Sequence, residues 1–193
     1  AIQRAVQLRP DDAHLLDTAG LLMTDIHQWE LASQYLQHAL EQGASSWKTL
    51  NALGICADMQ NNPAVASTYY TQAIALQPSA LLYNNQGYSL YMAQNYAAAT
   101  KSFEAALQLE PTNQLAWRNL ALVRMRQGNL DEALQAAFKG GDIHSALIIG
   151  RLHNDQDRSP QAKPRECVYI SPDGAESGGW ELTAVPLDPG RAS

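Results

Sequence analysis

Residues 80–111 read ALLYNNQGYSLYMAQNYAAATKSFEAALQLEP. Tyr83, Gln86, Gly87 and Leu90 follow the i, i+3, i+4, i+7 spacing of one helix face, and Ala99, Phe103 and Ala106 do the same after a short break. Asn95 stands at a capping position in that break, and Pro111 closes the second run because proline cannot donate within a helix and disfavours a helical residue before it. The stretch predicts two helices, 80–93 and 96–109, folded back on one another.

The same pattern returns on both sides. Gly20, Gly54, Gly87 and Ala121 are counterparts, as are Ala32, Ala66, Ala99 and Ala133, and both series step by about 34 residues. The second unit supplies Leu50, Leu53, Gly54, Ala57, Ala66, Tyr70, Ala73 and Pro78. The first gives Leu16, Ala19, Gly20, Met23, Ala32, Leu36 and Ala39, with Ala44 where proline would stand. The fourth gives Trp117, Leu120, Ala121, Arg124, Ala133 and Ala137, then departs at Gly140, where a helical Ala is expected. Small residues at these sites let paired helices approach closely, and the bulky ones fill the space beside them. Further pairs are expected at 13–26 with 29–42, 46–60 with 63–76, and 114–127 with 130–139. Asn62-Pro63 opens a helix, and Gly128 before Asn129 suits a helix end.

This pattern resembles the tetratricopeptide repeat. The resemblance implies an all-α, right-handed superhelical solenoid of antiparallel helix pairs with a C-terminal capping helix and an irregular tail. The expected divisions are the end of a truncated preceding repeat at 1–12, four units at 13–46, 47–79, 80–113 and 114–140, a capping helix at 141–153 and a tail at 154–193. Ala5, Leu8 and Pro10 align with Ala73, Leu76 and Pro78, and the chain has no initiator Met, so it reads as a fragment or a processed chain. Residues 143–152 (IHSALIIGRL) read as a short apolar helix capped by Asp142 that covers the last pair. From Asn154 the composition turns to proline and glycine, so disorder is the default there. Cys167–Ile170 and Trp180–Val185 have strand-like composition, separated by the turn sequence Ser171-Pro172-Asp173-Gly174, and suit docking on the solenoid or addition to a partner's sheet.

Composition narrows the function classes. The net charge of −6, without a Lys/Arg cluster, argues against nucleic acid. No apolar run has the length of a membrane span. Cys56 and Cys167 are too few for a disulfide framework, and Cys56 reads as a small core residue. His14, His27, His38, His144 and His153 lack metal-ligand spacing. Without a phosphate loop, a Gly-x-Ser-x-Gly elbow or a His-Glu-x-x-His sequence, the chain reads as a non-catalytic scaffold needing no cofactor and no metal.

In the family the first helix of each pair lines the concave face. Carried onto this chain, the partner-binding groove comprises Asp17, Asn51, Ile55, Asn84, Asn85, Tyr88, Tyr91, Arg118, Asn119 and Leu122, with Asp58 and Met59 among its further positions. Amide side chains donate and accept, so they hold a peptide backbone, while Tyr and Met offer adaptable apolar contact. The alternative is that Asn85 and Asn119 follow a common repeat preference. The two-lysine, asparagine and arginine clamp of carboxylate-gripping co-chaperones is missing in either frame: Asp17, Leu21, Ala52, Leu81 and Asn85 fill one, and Asn51, Ile55, Asn85, Leu115 and Asn119 the other. Asn84–Leu90, Asn119–Val123, Gln127-Gly128 and the break from Ala136 to Asp142 are similar to the tetratricopeptide lipoproteins of the tight-adherence pilus secretion machinery. That resemblance implies a protein or peptide partner, with secretin or pilus components among the candidates, at a bacterial periplasm or outer membrane. The alternatives are a cytosolic adaptor and a self-associating array.

Overall fold

The computed structural model describes residues 2–156, 167–170 and 182–185. The chain divides into two compact units, residues 1–150 and 151–193. Ten helices lie among the described residues: α1 Ile2–Leu8, α2 Ala13–Asp25, α3 Trp29–Glu41, α4 Trp47–Met59, α5 Pro63–Leu76, α6 Ala80–Met92, α7 Tyr96–Leu109, α8 Gln114–Arg126, α9 Leu130–Lys139 and α10 Ile143–Gln156. They pack as antiparallel neighbours, α2 with α3, α4 with α5, α6 with α7 and α8 with α9, and each second helix also touches the first helix of the next pair. The first helices touch one another in succession (α2 with α4, α4 with α6, α6 with α8), which makes them the inner row of the stack.

One steric device recurs in the first three pairs. A Cβ on Gly20 would stand 2.4 Å from the Leu36 side chain, one on Gly54 2.5 Å from the Tyr70 ring, and one on Gly87 2.7 Å from the Phe103 ring. Leu36, Tyr70 and Phe103 are fully buried, so the rings and the leucine have no room to retreat. In the fourth pair the sizes shift together. Ala121 replaces the glycine and Ala137 replaces the bulky residue, and both are buried. Ala32, Ala66, Ala99 and Ala133 are each wholly enclosed.

The turn inside each pair is equally regular. His27, Asn61, Gln94 and Gly128 take the left-handed conformation (φ 62°, 58°, 60° and 81°) two residues beyond each first helix. The next N–H then reaches back to a helix carbonyl, as in Gln28 N to Met23 O and Asn95 N to Leu90 O, both 2.9 Å. Asp12, Ser46, Ser79, Asn95 and Asn113 cap helices through their side chains. Asn62 and Asn129 occupy the cap positions expected of them but make no side-chain cap bond.

The departure at Gly140 has a packing reason. A Cβ there would meet the Arg118 Cγ at 2.8 Å and the Arg118 backbone nitrogen at 3.0 Å, so glycine lets the end of α9 close onto the first turns of α8. Beyond it Asp142 accepts from the Ser145 backbone N–H (2.9 Å) and hydroxyl (2.6 Å), which holds its carboxyl below the usual range. Ala146 and Ile149 of α10 are buried in the core shared by the third and fourth pairs.

Within residues 151–193 the two strand-like runs pair with each other. β1 (Cys167–Ile170) lies antiparallel to β2 (Leu182–Val185), with Cys167 opposite Val185 and Ile170 opposite Leu182. The sequence reading expected these runs to dock on the solenoid or add to a partner's sheet; here they take each other as partners, which satisfies the facing backbone groups of both. The expected turn at Ser171–Gly174, the positions Trp180 and Glu181, and most of the Pro/Gly-rich tail lie outside the described residues.

The glycine contacts yield a paired prediction. Gly87→Ala gains up to about 1 kcal/mol of helix propensity, but the clash with a buried ring costs about 1–3 kcal/mol. The variant is expected to be less stable in urea denaturation. At Gly150 a Cβ meets no described atom within 4 Å. Gly150→Ala is therefore expected to raise stability by up to about 1 kcal/mol.

Candidate functional site

The inner row builds one pocket across three pairs. Ile55, Asp58 and Met59 of α4, Asn84, Asn85 and Tyr88 of α6, and Leu115 and Asn119 of α8 line it, with Tyr70 of α5 at its base. Its volume is about 290 Å³. Tyr88, Met59 and Leu115 are exposed, so the lining presents apolar surface to solvent.

Of the ten groove positions expected from the sequence, the structure gathers Ile55, Asn84, Asn85, Tyr88 and Asn119 into this pocket. Asp17, Asn51, Tyr91, Arg118 and Leu122 lie outside its lining. Several members of both groups tie helices together. Asn85 Nδ2 donates to Asn51 Oδ1 (2.9 Å), and Asn119 Nδ2 donates to Asn84 Oδ1 (2.9 Å). Each bond joins the residue three before the glycine landmark in one pair to the residue two before it in the next. Between the first and second pairs Ala52 interrupts the series, and Asp17 instead accepts from the Thr49 hydroxyl at 2.7 Å. Arg118 Nε donates to the Gly140 carbonyl (2.9 Å), bracing α9 rather than reaching across the inner face. Tyr91 accepts from Arg126 Nε at 3.2 Å and stacks obliquely on Tyr96. Leu122 is half-buried.

The amide bonds leave each side chain partly unspent. Asn51 and Asn84 are engaged through oxygen and keep N–H donors, while Asn85 and Asn119 are engaged through nitrogen and keep a carbonyl acceptor. The pocket wall thus carries both donors and acceptors in fixed orientation, which suits a peptide backbone.

Asp58 is held by two hydroxyl donors. Its Oδ1 accepts from the Ser89 hydroxyl (2.7 Å) and its Oδ2 from the Tyr70 hydroxyl (2.9 Å), tying α4 to α6 and α5. Ser89 also reaches the Pro63 carbonyl at 3.2 Å. Burial raises the Asp58 carboxyl above its ordinary value, against the lowering effect of the two hydroxyl bonds. Burial, then the neighbouring Asp58 charge, pushes the Tyr70 phenol far up, so it stays a donor. On the sequence Tyr70 reads as core alone; its hydroxyl partner depends on directions across three helices, which spacing does not encode. Leu115, six residues before the landmark Ala121, is not among the ten expected groove positions. Burial also raises the Cys56 thiol, which lies 3.7 Å from the Thr24 hydroxyl, in keeping with a core role. Among the described residues no cluster of His, Cys, Asp or Glu has the arrangement of a metal site, and no helix is long and apolar enough to cross a membrane.

Comparison with known proteins places this geometry. Residues 59–113 and 84–142 match the tetratricopeptide repeat. BBSome complex member BBS4 of Bos taurus is 26% identical over 176 residues, covering 87% of this chain, which spans 34% of that relative's length. The crystal structure of MamA superimposes with a TM-score of 0.68 at 20% identity, over 78% of this chain and 88% of that one. YrrB, described as a TPR protein with an unusual peptide-binding site, superimposes with a TM-score of 0.67 at 20% identity, over 80% of each chain.

Two predictions test the polar contacts. A double-mutant cycle with Asn84→Ala and Asn119→Ala is expected to show a coupling of about 0.5–1.5 kcal/mol in denaturant unfolding without any ligand; residues serving only as ligand contacts would be additive. For Asp58, the folded state binds its proton more tightly than the unfolded state, so stability falls as pH rises from its ordinary value of 3.8 through the higher folded value. Asp58→Asn is expected to remove that slope, read as the difference in urea midpoint between the two proteins across acidic pH.

Proposed function

We propose, for a chain that carries tetratricopeptide repeats over residues 59–142 and folds as a solenoid of such pairs, that it is a non-catalytic scaffold binding an extended or helical partner segment along its inner row. Tetratricopeptide arrays mediate protein–protein interaction, and stacked repeats offer continuous concave surfaces for it. The observation that carries the reading here is the pocket shared by α4, α6 and α8, where oriented amides stand beside the exposed Met59, Tyr88 and Leu115. A segment laid there gains apolar burial from three helices and backbone hydrogen bonds from the amides.

The setting we propose is a bacterial envelope assembly of the pilus or secretion kind, in the periplasm or at the outer membrane, with secretin or pilus components as partners. The resemblance over Asn84–Leu90 and Asn119–Val123 supports it. A cytosolic adaptor with the same groove is the alternative; the long match to a member of the BBSome complex favours a role inside a multi-protein assembly without specifying the compartment.

Crosslinking pull-down from the source cell tests both levels. The triple variant Met59→Ala/Tyr88→Ala/Leu115→Ala removes exposed side chains only and is expected to fold with an unchanged circular dichroism spectrum while losing its main partners. An unchanged partner set would overturn the groove reading. Recovery of cytosolic proteins alone, lost in the variant, would keep the groove and overturn the envelope setting.

A further inference from the structure

The pocket has a polarity that the groove reading does not use. Asp58 is the ionisable carboxylate among its lining residues, and no Lys, Arg or His lines it. The contacts of Asp58 are the Tyr70 and Ser89 hydroxyls, with no cation against it among the described residues. Its two partners, Ser89 and Tyr70, are neutral donors that fix the carboxylate's orientation and leave each oxygen a further lone pair. A half-buried carboxylate held this way is a charge prepared in advance and left without a counter-charge.

The rest of the lining supplies the remaining requirements. Ile55, Met59, Tyr88 and Leu115 offer apolar surface between the mouth and the carboxylate. Asn85 and Asn119 keep carbonyl acceptors, which add to the demand for a donor. A side chain with a long apolar stem and a cationic head meets all three features. An acidic side chain or a phosphate would meet Asp58 with like charge, and a purely apolar one would seal that charge away from water unpaired. The position is particular to the second pair: Thr24, Tyr91 and Met125 are the counterparts of Asp58 in the others. Repeat architecture alone therefore does not require a carboxylate there.

Resting on the groove reading, we propose that this pocket takes one lysine or arginine side chain from an otherwise apolar stretch of the bound partner segment, with the Asp58 carboxylate as its counter-charge. The flanking apolar residues of the segment lie on Met59, Tyr88 and Leu115, and its backbone on the asparagine amides.

The test is selection of random twelve-residue peptides displayed on phage against the whole chain, followed by fluorescence anisotropy with a selected peptide. The expected result is enrichment of one basic residue flanked by apolar ones. Affinity is expected to fall at least about tenfold on Asp58→Asn, and by a similar factor when the peptide lysine becomes norleucine, with little further loss when both changes are combined. Should Asp58→Asn fail to fold, Met59→Lys supplies a competing cation from an exposed position and is expected to weaken the same peptide. Selected peptides that lack a basic residue but are weakened by Tyr88→Ala and Leu115→Ala would overturn this proposal and leave the groove standing. Failure to select any peptide, or binding insensitive to every pocket variant, would overturn both.

Discussion

The contact between a residue with no side chain and a large buried one holds this solenoid together. Gly20 against Leu36, Gly54 against Tyr70 and Gly87 against Phe103 set how closely the helices of the first three pairs approach. A glycine in mid-helix costs about 1 kcal/mol of propensity relative to alanine, and the packing of a whole ring or leucine side chain against the bare backbone offsets it. The fourth pair shows that the sum of the two sizes is what matters: Ala121 is admitted because Ala137 has given up its bulk. The loss of a large side chain there coincides with the short α9, and Gly140 then lets the end of α9 close on Arg118.

Between pairs the fold relies on polar contacts as well as packing. The Asn51–Asn85 and Asn84–Asn119 bonds repeat at separations of 34 and 35 residues, and Asp17–Thr49 takes the place of a third where Ala52 offers no amide. These bonds run along the inner row, and three of the side chains that make them, Asn84, Asn85 and Asn119, also form the wall of the pocket. Position and function are shared at these asparagines.

The landmark residues made the helix pairs legible, because the size of a side chain at a close approach is a local property that recurs with the repeat. The boundaries of α2 to α9 follow from caps and left-handed turn residues, which are local as well. The site was legible only in part. Five of the ten groove positions share the pocket, because face and period determine which helix row a residue belongs to. Three of the others are diverted by partners that no periodicity announces: Arg118 to a carbonyl freed by the early end of α9, Asp17 to a threonine from the following pair, Tyr91 to Arg126. Asp58 needed the directions of Tyr70 and Ser89 to be recognised as the polar centre. In the second unit, strand composition was readable at Cys167–Ile170 and Leu182–Val185, but the choice of each other as partners was not, since an isolated run carries no record of what it pairs with.

The pocket is assembled from α4, α5, α6 and α8, and no single pair contains enough of it to hold a ligand. In a linear stack, where each unit is supported by its neighbours, opening can begin at an end and spread unit by unit. A molecule bound in the pocket must be released before any of three consecutive pairs can open. Its binding free energy is therefore added to the opening of the whole middle of the array. Occupancy turns a chain of separable segments into one cooperative block, with amide protons in three pairs slowing together in hydrogen exchange.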